Sequence, residues 1–333
     1  MKAMLLRRQA PIEESPLEEA QVGVPHPGLG EVLVRVSACG LCHTDLHTVE
    51  GDIPLRKTPL IPGHQIVGFV EKLGESASRL KVGDKVGVAW LHWTCGKCRF
   101  CVRGDENLCE NARFTGYDVN GGYAEYALAP SDFCYALPAE ADPIQTAPLL
   151  CAGIIGYRSL KLSEAAEGET LALYGFGASA HVTIQVALSR GINVVVFSRS
   201  KEHRDLARRL GASWAGTMEE SPPVAPERAI VFAPAGRLVN VALEAIDKGG
   251  TVALAGIHMD QVPPLDYEKH LYHEKKLRSV TASTRSDGRE FIEEAFRIPV
   301  RTETEVFSLS DANRALRLLK ESKINGAGVL RIG

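Results

Sequence analysis

Short runs of apolar residues, broken every few positions by Gly and Pro, dominate the first part of the chain, and a longer beat replaces them further on. Glu31–Val36, Ile66–Leu73, Lys85–Ala89 and Gly122–Leu128 carry the pattern of half-buried strands and predict an irregular, mostly β domain. From about residue 168 the texture changes. Thr170–Tyr174 reads as a short buried strand, followed by Gly175, Gly177 and an apolar-periodic helix from Ala178 to Ser189. Gly191 ends that helix, Asn193–Phe197 is the next buried strand, and a helix over Lys201–Leu210 closes on Gly211. Further strands are predicted at Ala229–Phe232, Thr251–Ala255 and Leu277–Ala282, with a helix over Arg237–Ile246. Strands alternating with helices imply a parallel sheet covered on both faces, a doubly wound α/β arrangement. Two more amphipathic helices and a strand at Gly328–Ile332 follow, while Ser221–Pro226 reads as a loop.

At 333 residues the chain exceeds the size at which one core usually stops growing, so two domains are expected. Hydrophobic residues at 45% and charged residues at 24% describe an ordinary globular chain. A formal net charge of -3 offers nothing to a polyanion, so no nucleic-acid partner is expected. The N-terminal apolar patch stops at Arg7 and Arg8, and no run reaches membrane-spanning length. The expectation is a cytoplasmic protein without a membrane partner.

Eight cysteines need a reason in a reducing compartment, and their clustering suggests metal rather than disulfides. Cys95, Cys98, Cys101 and Cys109 lie within fifteen residues, and CxxC turns bring sulfurs to the separation that tetrahedral zinc requires. With all four positions filled by protein, such a zinc would be structural, in a lobe spanning about residues 90–112. An iron–sulfur cluster is the other reading of four such thiols, and no second cluster motif accompanies it. Three further potential ligands are scattered: Cys42 in CGLCHTDLH, His64 in PGHQIVG and Cys151 in PLLCAGIIGY.

These motifs, together with the quartet, GGYAEY and the later Gly motif, occur in an order that resembles the zinc-containing alcohol dehydrogenases of the medium-chain dehydrogenase/reductase superfamily. The similarity covers nearly the whole chain and is nearest to the propanol-preferring and cinnamyl-alcohol-dehydrogenase-like bacterial groups. It implies a GroES-like, mostly β catalytic domain over 1–150 and 285–333, and a Rossmann cofactor domain over 151–284. It also implies two zinc ions per subunit. Cys42, His64 and Cys151 match the ligands of a catalytic zinc, a set that leaves the fourth position open for water or alcohol. Asp45 matches the residue that hydrogen-bonds the ligand histidine, Thr44 the hydroxyl that contacts the substrate oxygen, and His47 the histidine that passes a proton towards solvent. His43 matches a residue near the cofactor phosphates. Cys39 falls outside this frame and Cys134 matches no ligand position. Two departures stand out: Gln65 replaces a frequent Glu beside the metal, and Ala327 replaces an Arg that often contacts the pyrophosphate.

Gly175-Phe176-Gly177-Ala178-Ser179-Ala180 is a GxGxxA turn placed between a predicted strand and helix, which suits a dinucleotide. Gly175, Gly177 and Ala178 are the candidate phosphate-side contacts, with small Ala180 permitting close packing. The next strand ends in Ser198 and Arg199 rather than a carboxylate. Arg199 can pair with a 2′-phosphate, so NADP is favoured over NAD. Ile53, Trp90, Leu91 and Trp93 match substrate-pocket positions, and their apolar bulk suits aliphatic or aromatic primary alcohols and aldehydes better than polyols or sugars. Trp93 equally suits packing on the zinc lobe. The resemblance further implies a homodimer or homotetramer. The alternatives are a zinc-free quinone or enone reductase of the same fold, which usually lacks both ligand sets, and a non-enzymatic NADPH-binding protein with a structural zinc alone.

Overall fold

The computed structural model describes residues 1–256 and 259–333. It divides into two compact units, one of residues 1–151, 282–292 and 302–333, the other of 152–281 and 293–301.

The first unit is built on a seven-stranded sheet in the order Thr304–Ser308, Ala327–Arg331, Glu31–Gly40, Gln65–Leu73, Lys85–Val88, Cys134–Ala136, with Tyr126–Pro130 also pairing along Glu31–Arg35. Glu31–Gly40 is the longest strand, and its register slips at Leu33/Val34 and Val36/Ala38. Such bulges bend a strand and let it serve several partners. Val32, Val34, Val36, Ile66, Val70, Val86 and Val88 point into one core shared with Leu6, Leu60 and Tyr123. The predicted strand Gly122–Leu128 instead begins at Tyr126. The reason lies in where the preceding backbone donors go. Gly121, Gly122 and Tyr123 donate to the carbonyls of Ile61, Gly63 and Pro62, at 2.7, 2.9 and 3.0 Å, rather than to a ladder.

The second unit holds a six-stranded sheet whose neighbours all pair in parallel, in the order Trp214–Gly216, Asn193–Phe197, Thr170–Tyr174, Arg228–Val231, Thr251–Leu254, Lys276–Ser279. Its central strands are buried end to end, which is why they read as continuous apolar runs rather than alternations. The three-residue strand Trp214–Gly216 is too short to show a period and was not expected from the pattern. The edge strand Lys276–Ser279 is exposed throughout and stops before the predicted Ala282, which adopts a positive φ of 48°. Among the described residues, no helix is long and apolar enough to cross a membrane.

Within this sheet a charge pair ties two strand entrances together. Arg228 donates to both Glu169 carboxylate oxygens at 3.1 and 3.0 Å, and to the Gly249 carbonyl at 3.0 Å. Burial alone would raise the Glu169 pKa, but the Arg228 guanidinium and the Ala166 N–H more than offset it and hold the carboxyl below its usual value. A lowered folded pKa means stability that is present above the unfolded value of about 4.3 and lost as pH falls through the folded value. Glu169→Gln is therefore expected to cost roughly 1 kcal/mol at pH 7. Urea unfolding should show that deficit shrinking as pH falls below the usual carboxylate range and through the lowered folded value.

Candidate active site and metal centres

The helix His43–Glu50 is short, and its start is fixed by Cys42, which sits at the N-cap in extended conformation. The Cys42 sulfur accepts the Thr44 N–H at 3.5 Å while the Asp45 carboxylate accepts the Cys42 N–H at 2.9 Å. This reciprocal capping box satisfies two backbone donors that the helix cannot pair internally. Asp45 does more than cap. Its Oδ1 accepts His64 Nδ1 at 3.0 Å and the Gly63 N–H at 3.2 Å, and its Oδ2 also accepts the Tyr123 hydroxyl at 3.2 Å. With only 2% exposure, Asp45 thus takes four hydrogen bonds and joins three segments of chain.

The pairing with Asp45 orients the His64 ring so that Nε2, buried and without a hydrogen-bond partner, lies with the sulfurs of Cys42 and Cys151 in one group, all within 4.8 Å of one another. The two sulfurs are 3.8 Å apart. Two sulfurs bound to one tetrahedral zinc at about 2.3 Å each lie about 3.8 Å apart, so the donors present fit such an ion. The chemistry agrees. The Cys151 hydrogen bond, against the opposing effect of burial, holds the Cys42 thiol well below its ordinary range, with His64 and Thr44 adding to it. Burial opposes a charged His64, yet Asp45 and Cys42 raise its pKa to about 10, so without an ion the ring holds a proton that a bound metal would displace from Nε2.

Cys95, Cys98, Cys101 and Cys109 form a second group, with sulfur separations of 3.5 Å for Cys98–Cys101 and 4.0 Å for Cys95–Cys101. The backbone N–H groups of Lys97 and Cys98 lower the Cys95 pKa to about 6, the mark of a thiolate cradle. Burial and the neighbouring thiols push Cys101 up to about 12. The loop is fastened by Glu106, whose carboxylate takes three hydrogen bonds from the Arg285 guanidinium and one from its backbone N–H. Cys39 joins neither group among the described residues; it is fully buried, and burial pushes its thiol up. Cys134 is half-buried and also stands apart.

Thr44 is buried, with its hydroxyl 3.5 Å from the Cys42 sulfur. His43 is exposed on the first turn and His47 follows one turn on, its Nδ1 2.6 Å from Asp52 Oδ2. Trp90 packs edge-on against His64, with ring centroids 4.9 Å apart, and stacks on Phe114 and Tyr117. Ile53 is partly buried beside the helix end, its N–H directed at the His47 carbonyl. Leu91 is buried in a two-stranded ribbon against Phe114, and Trp93 is 39% exposed with the Arg113 guanidinium over its ring. Gln65 is buried against Gly40, where a Cβ would come within 2.7 Å of its amide oxygen.

In the second unit Gly175 turns the chain at φ +94°, and Gly177 caps the helix Ala178–Ser189. Among the described residues nothing lies within 4 Å of a Cβ built at Gly177, which leaves space for a ligand in front of the helix N-terminus. Ser198 and Arg199 directly follow the strand Asn193–Phe197; Ser198 is buried and Arg199 exposed. Arg204 reaches back to the Ser198 and Arg199 carbonyls at 2.7 and 2.8 Å.

Residues 28–139 match the alcohol dehydrogenase GroES-like domain, and residues 180–297 match the zinc-binding dehydrogenase family. The chain is 47% identical to a protein described as a probable alcohol dehydrogenase of Mycobacterium tuberculosis, over 100% of this chain and 97% of the relative. The chain belongs to the zinc-binding alcohol dehydrogenases. A second member of this family, an alcohol dehydrogenase of Geobacillus stearothermophilus, is 38% identical over 95% of this chain and 96% of its own. A solved structure of a candidate zinc-binding dehydrogenase from Sinorhizobium meliloti, bound to NADP, superposes with a TM-score of 0.87 at 25% identity, covering 99% of this chain and 98% of that one. As an alcohol dehydrogenase, the chain is an oxidoreductase of alcohols and aldehydes that uses zinc and a nicotinamide cofactor. Membership also removes support from the zinc-free reductase reading of the sequence.

Motif reading overlooked Tyr123, Asp52 and the Glu106–Arg285 pair. Tyr123 stood inside the quoted GGYAEY, and Asp52 five positions after His47, so both were visible without a stated role. It also passed over Gly63, whose φ is +95° and whose Cβ would come within 2.3 Å of the Tyr123 ring. Gly104 has a similar φ of +90° with nothing within 4 Å. Gly104→Ala is expected to cost about 1 kcal/mol from backbone strain alone. Gly63→Ala should cost at least about 2 kcal/mol more, because an aromatic ring blocks the Cβ. Urea denaturation of the two variants measures the difference.

Proposed function

We propose that this alcohol dehydrogenase carries two zinc ions per chain, acts on primary alcohols and their aldehydes, and prefers NADP(H). The observation that carries the reading is the pair of donor groups, one closed by four thiols and one offering two thiols and an unpartnered buried His64 Nε2. Cys95, Cys98, Cys101 and Cys109 would hold the structural ion; Cys42, His64 and Cys151 would hold the other and leave one position open. When bound there, zinc supplies Lewis acidity towards an alcohol or carbonyl oxygen, and the nicotinamide supplies or accepts the hydride.

The chain's own residues do the rest. Asp45 holds the His64 ring so that Nε2 keeps its lone pair for the metal. The Thr44 hydroxyl, close to the Cys42 sulfur, is placed to hydrogen-bond a substrate oxygen and pass on its proton. His47 is assigned the exchange of that proton with solvent. Trp90, braced by Phe114 and Tyr117, gives the site a rigid apolar wall suited to unbranched or aromatic chains. Gln65 brings no charge to the metal's neighbourhood, and Ala327, buried in a strand, brings no cation to a pyrophosphate. Phosphate affinity then rests on the Gly175–Ala178 turn, with Ser198 and Arg199 taking a 2′-phosphate. Family likeness further suggests a homodimer or homotetramer working in the cytoplasm.

Metal analysis should give two zinc ions per chain, falling to one in Cys42→Ser with alcohol oxidation reduced at least a hundredfold. One zinc in the wild type, with unaltered turnover in Cys42→Ser, would remove the two-site assignment. The cofactor preference is read from kcat/KM: NADP+ is expected to exceed NAD+ by about tenfold or more, with Arg199→Ala losing about tenfold, roughly 1.4 kcal/mol, of that advantage. A clear preference for NAD+ would contradict it.

A further inference from the structure

The geometry points to Asp52 as the positioning residue of His47, holding its imidazole by Nδ1 so that the proton is exchanged at Nε2. This inference rests on the assignment of His47 to proton exchange.

The placement of Asp52 is built by the chain around it. The helix His43–Glu50 ends at Gly51 with φ +96°, and the Gly51 and Ile53 N–H groups both point at the His47 carbonyl, at 3.1 and 3.4 Å. The Gln9 side-chain amide then donates to Thr48 O and Ile53 O at 2.8 and 2.7 Å, stitching the segment after the helix back onto its last turn. This reversal brings the Asp52 carboxylate to 2.6 Å from His47 Nδ1. His47 is largely shielded, with a side chain 18% exposed, while Asp52 is 47% exposed. The carboxylate is thus the more open of the two groups and lies against a shielded ring.

Two consequences follow. Nδ1–H donation to the carboxylate selects one tautomer, so Nε2 carries the lone pair that accepts a proton. The carboxylate also stands where it faces the positive charge of a ring that has taken up the proton. During alcohol oxidation the hydroxyl O–H bond breaks and its proton arrives at Nε2, then leaves to water; no electrons travel by this route. In aldehyde reduction the same proton returns. Other titratable and charged groups lie on or against this helix. His43 lies on the same helix, with its ring centroid 6.4 Å from that of His47. From the elements packed against the helix, Glu13 and Lys320 pair with one another, and Lys320 also pairs with Glu50.

The test uses Asp52→Asn, which keeps an acceptor but loses the charge, beside His47→Gln and the double variant. In the zinc-loaded protein without cofactor, NMR titration of the His47 imidazole, identified by its absence in His47→Gln, should show the midpoint falling by about one unit in Asp52→Asn. The acidic limb of the pH profile for alcohol oxidation should move the same way, with kcat reduced severalfold, and Asp52→Glu should recover part of it. In the His47→Gln background, Asp52→Asn should have no further effect. An unchanged His47 midpoint, or an equal loss from Asp52→Asn in both backgrounds, overturns the inference. If His47→Gln itself leaves kcat and its pH profile untouched, the proton-exchange assignment falls, and Asp52 with it as an aid to turnover.

Discussion

A buried carboxylate surrounded by four donors, Asp45, is the constraint on which the rest of this site depends. Burying an ionised group without partners costs several kcal/mol, so its donors must converge from wherever the chain can supply them. They come from Cys42, at the start of a helix; from Gly63 and His64, at the entrance to a strand; and from Tyr123, in a loop that packs on Gly63. Satisfying one charge thereby sets two of the three metal donors relative to each other. Removing the charge would leave the Gly63 N–H and the Tyr123 hydroxyl to find new partners in an apolar core.

The close approach of bare backbone makes this convergence possible. A Cβ at Gly121 would stand 2.0 Å from the Gly63 carbonyl, and one at Gly122 would meet Ile66 and Cys39. Cys39, despite its place in a CxxC, fills that core as a small apolar side chain and stays a neutral thiol. The structural lobe follows another rule. Its loop has little core of its own, and the Arg285–Glu106 pair fastens it where packing cannot; burial would raise the Glu106 pKa, but Arg285 more than offsets it and holds the carboxyl down.

Much of this was legible in the residues themselves. The Cys95–Cys109 spacing speaks for metal because the sulfurs are local in sequence and the turn geometry follows from the chain. The parallel sheet was legible because strands such as Thr170–Tyr174 and Asn193–Phe197 are buried on both faces and bounded by glycines. Cys42, His64 and Cys151, in contrast, are brought together only by folding, and family motifs rather than spacing singled them out. Tyr126–Pro130 was misplaced because hydrogen bonding to residues 61–63, which no local pattern encodes, diverted Gly121–Tyr123 from the ladder. Trp93 could not be assigned to pocket or lobe by bulk alone, since an indole serves either, and its ring lies partly exposed under the Arg113 guanidinium.

The strand Ala327–Arg331 pairs with the end of Glu31–Gly40, Leu330 opposite Cys39 and Val329 opposite Gly40, and the Gly328 carbonyl accepts the Leu41 N–H just before Cys42. This strand emerges from the ribosome after every cysteine and histidine donor has already been made. A growing chain therefore carries all its candidate metal donors while the segment leading to Cys42 still lacks a flanking strand. Biosynthesis thus makes the completed donor group a late event, and a message cut short upstream of Ala327 would yield a protein with every candidate donor present and one of them unsupported.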